Sequence, residues 1–218
     1  MDRDSIDVPI KAKLLPINAL QLTLKRLIDI IGSIFGLIVF SLPAAIMAIA
    51  IRMESPGPAI YKRTIVGKNN ENFVYYKLRS MIDNADEWLD NHPELKMEYH
   101  EKLKIKNDPR ITRLGNFLRR TSLDEVPQFY NILKGEMSLV GPRTLSEAEL
   151  HAYGFSRDKV LSVKPGLTGL WQVSGRQTTS LEKRIALDME YIDNWSLWLD
   201  VKILFRTVWA VVTMKGAH

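Results

Sequence analysis

The sequence predicts a mostly helical α+β protein built on one membrane-seated helix, with a small β-hairpin and amphipathic helices at the membrane interface. Three observations predict it. A run of 22 residues without a charge extends from Ile30 to Ile51, two short strand-like segments bracket Gly67-Lys68-Asn69-Asn70, and the C-terminal stretch is amphipathic and rich in tryptophan. The 218 residues suffice for one domain with a core plus an anchor. Hydrophobic residues make up 46% and charged residues 25%, which excludes a disordered chain. The absence of cysteine excludes disulfides, thiolate metal sites and cysteine nucleophiles. A net charge of +5 and a pI near 9.3 suit a phosphate-rich partner, whether nucleic acid, anionic lipid or nucleotide.

Residues 1–26 form an N-terminal segment. It is not a secretory signal, because Asp2, Asp4 and Asp7 spoil a basic start and no small-residue cleavage site follows the apolar run. Residues 27–52 read as a re-entrant membrane helix with a Ser-x-Pro break at Ser41-Leu42-Pro43. Pro43 cannot donate to the Val39 carbonyl and its ring crowds that turn, while the Ser41 hydroxyl can satisfy a freed backbone group. A helix that turns there leaves Ile30 to Phe40, a length of roughly 16 Å, or about half of a roughly 30 Å hydrocarbon core. Basic residues flank the run on both sides: Arg3, Lys11, Lys13, Lys25 and Arg26 before it, and Arg52, Lys62, Arg63, Lys68, Lys77 and Arg79 after it. That charge pattern puts both flanks on the cytoplasmic side. A kinked spanning helix is the alternative.

Residues 53–218 read as one cytoplasmic domain. Ser55-Pro56-Gly57-Pro58 ends the membrane segment with a turn. Strands follow at 59–64 and 72–79, with Lys77 and Arg79 on one face of the second. Met81 to Leu103 reads as an acidic, solvated helix with a break at Pro93. Residues 102–120 then turn basic through Lys102, Lys104, Lys106, Arg110, Arg113, Arg119 and Arg120. No DNA- or RNA-binding motif accompanies them, so a lipid-facing surface or an anionic-substrate site remains. From Trp195 to Met214, Trp195, Trp198 and Trp209 punctuate an apolar stripe, as expected of an interfacial helix.

Thr121-Ser122-Leu123-Asp124-Glu125-Val126-Pro127 opens a helix that runs to Gly135. Ser122 and Glu125 have the spacing of a capping box. Pro127 fits poorly inside such a helix and better as its first residue. The two carboxylates therefore admit two readings, helix capping or chemistry.

Residues 107–143, NDPRITRLGNFLRRTSLDEVPQFYNILKGEMSLVGPR, resemble the signature block of the bacterial sugar transferase family, the monotopic polyprenyl-phosphate phosphoglycosyl transferases. SPGPAIYKRTIVGKNNENFVYYKLRSM at 55–81, KPGLTGLWQVSGR at 164–176 and DMEYIDNWSLWLDVKIL at 188–204 are similar to its other conserved segments, so the resemblance covers roughly residues 22–214. The family usually reads Gly-Pro-Arg-Pro where this chain has Thr144 last, which loosens one turn beside Arg143.

The resemblance implies transfer of a sugar 1-phosphate from a nucleoside diphosphate sugar, a UDP-sugar above all, to undecaprenyl phosphate at the cytoplasmic face of the inner membrane. Asp124 aligns with the family's nucleophile, which forms a covalent aspartyl-phosphosugar, and Glu125 would assist. Mg²⁺ is the implied cofactor, with Asp124 as its ligand. Lys77, Arg79, Arg119, Arg143, Gln172, Arg176 and Asp188 are the implied substrate-binding positions, with Asp188 alternatively paired to Arg184. The expected partners are the nucleotide sugar, the polyprenyl phosphate and membrane lipid, with a homodimer left open and no nucleic acid. Two other classes stay in view: an inactive membrane-tethered regulator, and a basic nucleic-acid-binding domain. The sugar, and the polymer that receives it, are not legible.

Overall fold

A computed structural model of the chain describes residues 18–102, 105, 107–175 and 179–213. The flanking cations Arg3, Lys11 and Lys13, the basic residues Lys104 and Lys106, and the site candidate Arg176 lie outside the described residues. Helix α1 (Ala19–Glu54) is N-capped by Asn18, whose side chain accepts from the Leu20 amide at 3.1 Å. It is 36 residues long, starts before the expected residue 27, and is long and apolar enough to cross a membrane. Helical backbone is uninterrupted at Ser41-Leu42-Pro43, and Ser41 Oγ donates to the Ile38 carbonyl at 3.4 Å. A proline can bend a helix without interrupting it.

Both ends of α1 are fastened to the rest of the protein, while one face of its middle is exposed. Near the start, Lys25 Nζ meets Asp200 Oδ2 at 2.6 Å and donates to the Val140 carbonyl at 2.9 Å. Arg26 donates to the carbonyls of Ile132 and Leu133 at 2.6 and 2.8 Å, and Asp29 accepts from Ser138 Oγ and the Leu139 amide. At the far end, Ile51 is buried among Ala59, Leu78 and Leu118, and Glu54 accepts from the Leu114 amide at 3.0 Å. Between these points Ile38, Leu42, Ile46 and Ile49 are exposed. Gly36 lets α1 approach its neighbour, since a Cβ there would stand 2.5 Å from the ring of Phe129.

Strands β1 (Ile60–Val66) and β2 (Asn72–Leu78) form the expected antiparallel hairpin, in register from Ile60 opposite Leu78 to Val66 opposite Asn72. Asn69 and Asn70 take the left-handed conformation at its tip, which suits asparagine. The acidic segment is two helices, α2 (Ala85–Asp90) and α3 (Pro93–Lys102). The break at Pro93 is present, as the first residue of α3. The segment starts later than Met81 because Met81 pairs in a bridge with Ile111 and Asn84 is left-handed.

Helix α4 (Arg113–Thr121) is capped by Thr112 and ends at Ser122. Its Gly115 is obligatory, since a Cβ would lie 1.9 Å from the Ser80 carbonyl oxygen. Helix α5 (Gln128–Lys134) leads to strand β3 (Ser138–Val140), then to helices α6 (Glu147–Ala152) and α7 (Arg157–Val160). Strand β4 (Gly166–Thr168) pairs parallel with β3, an arrangement not anticipated from strands of three residues. Helices α8 (Leu170–Val173), α9 (Leu181–Asp193) and α10 (Leu197–Val212) complete the chain. The main core joins Ile132, Val140, Leu150, Tyr191 and Ile203 from five of these elements, with Met137 from the link between α5 and β3. On α10, Trp198, Phe205, Val208 and Trp209 remain exposed, the pattern of a helix whose outer face meets lipid.

Candidate active site

The two carboxylates do not cap a helix. Ser122 is the left-handed C-terminal residue of α4, with φ of 59°, and its side chain makes no capping bond. Residues Leu123–Glu125 form a single 3-10 turn, and α5 begins only at Gln128, after Pro127. The proline thus decides the local fold, and the chain reverses sharply at Ser122 to present the pair to β2. Buried polar side chains hold that contact. Asn131 donates to the Val74 carbonyl at 2.7 Å and accepts from the Tyr76 amide at 3.3 Å, while Gln128 donates to the Tyr75 hydroxyl at 3.0 Å.

Lys77 closes the arrangement. Its Nζ lies 2.9 Å from Glu125 Oε1 and 3.6 Å from Asp124 Oδ2, with the Tyr75 ring centroid 5.4 Å away. Asp124 is 5% exposed yet lines a large cavity, whereas Glu125 is half-buried. Burial pushes the Asp124 carboxyl above the usual carboxylate range, and Glu125 adds to that, against the pull of Lys77 and Arg119. Burial alone would lower the Lys77 ammonium, but Glu125, Tyr75 and Asp124 outweigh it and hold it well above its ordinary value. Lys77 is therefore a permanent cation set against a carboxylate pair.

Other cations share the same cavity. Arg119 Nε donates to Ser80 Oγ at 2.9 Å. Arg143 and Arg184 stack on Trp171, with Cζ 5.6 and 4.7 Å from the ring centroid. Neither makes a salt bridge among the described residues. The backbone around Arg143 is pinned on both sides by bridges, Arg143 to Gly166 and Leu145 to Val66, so Thr144 sits in a held extended segment rather than a loose turn. Gln172 reaches the cavity wall, with Oε1 buried and without a partner among the described residues.

Two candidates have other work. Arg79 lies just past the end of β2 and is buried. It donates to the Ser55 carbonyl and hydroxyl at 2.8 and 2.9 Å and to the Pro56 carbonyl, and so clamps the chain where it leaves α1. Asp188 is 1% exposed and accepts from the Tyr153 hydroxyl at 2.6 Å. Its expected partner Arg184 instead donates to the Thr179 carbonyl at 3.2 Å. Burial raises the Asp188 carboxyl to about 7. Lys77, Arg119, Asp124, Glu125, Arg143 and Gln172 are thus brought to one cavity, which Arg79 also lines and Asp188 does not. Trp171 and Arg184 belong with them, and only the basic, aromatic character of their segments hinted at it.

The donor set can be weighed against a metal. Among the described residues no cluster of three or more acidic or histidine side chains could hold one. Adjacent Asp124 and Glu125 supply one or two carboxylates, the protein share typical of a Mg²⁺ whose shell is completed by phosphate and water. The residues fit an ion shared with a substrate.

The family model for the bacterial sugar transferase matches residues 20–214. A UDP-galactose-lipid carrier transferase of Erwinia amylovora is 46% identical over 199 residues, covering 89% of this chain and 42% of that protein. A UDP-glucose:undecaprenyl-phosphate glucose-1-phosphate transferase of Escherichia coli is 38% identical over 214 residues, covering 93% and 43%. The exopolysaccharide production protein ExoY of Rhizobium meliloti is 38% identical, covering 89% and 88%. The chain thus spans less than half the length of the first two relatives and most of the length of the third. A match over nearly the whole sequence, with the carboxylate turn and its cations inside it, means that the chain belongs to the bacterial sugar transferase family.

Proposed function

We propose that this protein transfers a sugar 1-phosphate from a UDP-sugar to undecaprenyl phosphate, giving undecaprenyl-diphosphate sugar and UMP. The reading rests on one observation above all: a buried Asp124, on a turn that caps nothing, beside Lys77 in a cavity with Arg119 and Arg143. Asp124 attacks the phosphorus nearest the sugar and the bond to the UMP oxygen breaks, leaving an acyl phosphate. A phosphate oxygen of the lipid then attacks that phosphorus, and the Asp124 carboxylate departs. Lys77 and Arg143 neutralise the diphosphate that would otherwise repel Asp124, Arg143 with a geometry suited to two phosphate oxygens. Glu125, accepting from Lys77 at 2.9 Å, fixes the ammonium between the two carboxylates. Mg²⁺ bound at Asp124 would withdraw charge from the diphosphate oxygens.

The protein is proposed to sit in the cytoplasmic membrane with its site on the cytoplasmic face and α1 re-entrant. Support comes from the fastening of both ends of α1 to one folded body, with an exposed apolar middle between them. The test of the chemistry is intact mass after incubation with a UDP-sugar and no lipid. A phosphosugar adduct is expected on the wild type and not on Asp124→Asn. An adduct persisting on that variant would place the nucleophile elsewhere. A panel of UDP-sugars, read by released UMP, would name the donor.

A further inference from the structure

We propose that the cleft between α1 and α10 receives the phosphate-proximal isoprene units of the lipid acceptor, an inference that rests on the transfer reaction above. The cavity that holds Lys77, Asp124 and Arg143 does not end at the charged groups. It continues along an apolar wall formed by Val201, Leu204, Val208 and Val211 of α10, with Phe129 of α5 and Phe40 of α1. The four α10 residues are spaced by three, four and three, so they form one stripe about 15 Å long. Phe129 joins the two halves: it lies four residues after Glu125, and its ring is pressed against α1 at Gly36.

The continuity selects the occupant. A bilayer acyl chain would need only the exposed outer faces of α1 and α10, which are available elsewhere along both helices. A wall that leads from that apolar surface to a cluster of cations fits a single molecule with a hydrocarbon chain at one end and a phosphate at the other. Its chain lies along the α10 stripe while its phosphate arrives within reach of Lys77 and Arg143. The apolar area taken up along the stripe would contribute to acceptor binding, and the exposed Val208 marks the open side of the cleft.

The test uses the full chain in bilayers of phosphatidylglycerol and phosphatidylethanolamine, with benzoyl-phenylalanine in place of Val208 and, as a control, of Trp209. Trp209 is equally exposed on α10 but does not line the cavity. On irradiation, the Val208 position should capture undecaprenyl phosphate, and added unlabelled polyprenyl phosphate should suppress the capture while extra phosphatidylglycerol does not. The Trp209 position should capture phospholipid only. Equal capture at both positions, or capture at Val208 that polyprenyl phosphate does not displace, would assign the cleft to bulk lipid and overturn the proposal. Val211→Trp, which fills the stripe, should raise the acceptor KM about tenfold, and an unchanged acceptor KM would count against it. Release of UMP by the wild type from donor in the presence of undecaprenyl phosphate is measured in parallel. Its presence with no specific capture removes the cleft assignment only, and its absence removes the transfer reaction as well.

Discussion

Asp124 is a carboxyl in a place that disfavours its charged form, and two predictions follow from the physics of that residue. Asp124→Asn should abolish transfer yet leave the melting temperature unchanged or slightly raised, because the amide needs no desolvated charge and Ser122 does the turning. A helix-capping carboxylate would behave oppositely, losing about 1 kcal/mol of stability with activity kept. Removing Lys77 takes away a group that lowers the Asp124 pKa. In Lys77→Met the acidic limb of the rate of adduct formation should therefore move to higher pH, measured by rapid-quench mass spectrometry. Asp188 makes a third case. Its carboxyl rises from 3.8 unfolded to about 7 folded, so the folded state binds the extra proton. Its contribution to stability is complete below pH 4 and is lost as pH rises through 7. Across that window wild-type stability should fall by on the order of 4 kcal/mol from this group, while Asp188→Asn, which still accepts from Tyr153, should lack that slope. Denaturant melts at pH 5 and pH 7.5 would show it.

At the scale of elements, α5 links the membrane helix to the catalytic turn. Its C-terminal carbonyls are held by Arg26 and its side chains Gln128 and Asn131 hold β2. Arg26→Met should leave those carbonyls without their cation and lower kcat more than it changes donor KM, because the displaced helix follows directly on the turn that carries Asp124. Equal change in both would show that α5 matters only for stability. The elements also show what was legible. The hairpin, the proline break at 93, the C-terminal amphipathic helix and the α5 start near Pro127 follow from local rules of turn and proline chemistry. Ser122 as a left-handed helix end, the short β3–β4 pairing and the structural use of Arg79 do not. The last two depend on partners distant in sequence, Ser55 for Arg79 and Gly166 for Ser138. The site candidates Lys77, Asp124 and Arg143 were legible through resemblance, whereas the stacking of Arg184 on Trp171 required the fold.

At the scale of the whole molecule, the chain is a folded body with a hydrophobic helix fastened to it at both ends. Labels placed at the two termini should both be reached from the cytoplasmic side, and a periplasmic signal from either would rule out the re-entrant form. Pro43→Leu removes the ring that bends helices and should shift part of the population to a spanning topology. Exhaustive chelation should abolish turnover if a divalent ion is shared with the diphosphate, and activity surviving it would exclude that role.

The double fastening of α1 also bears on what the helix is. A leash can be cut or exchanged without harm to what it tethers. This helix is a wall: it supplies the cation for the buried Asp200, the cap for the α5 carbonyls, the acceptor for Ser138 and the apolar surface that covers Phe129 and Leu118. A chain begun after Ser55 would leave Asp200 buried without its cation, a defect that typically costs about 3–5 kcal/mol. Such a soluble fragment should therefore misfold or aggregate, and a foreign transmembrane segment spliced in its place should not rescue it.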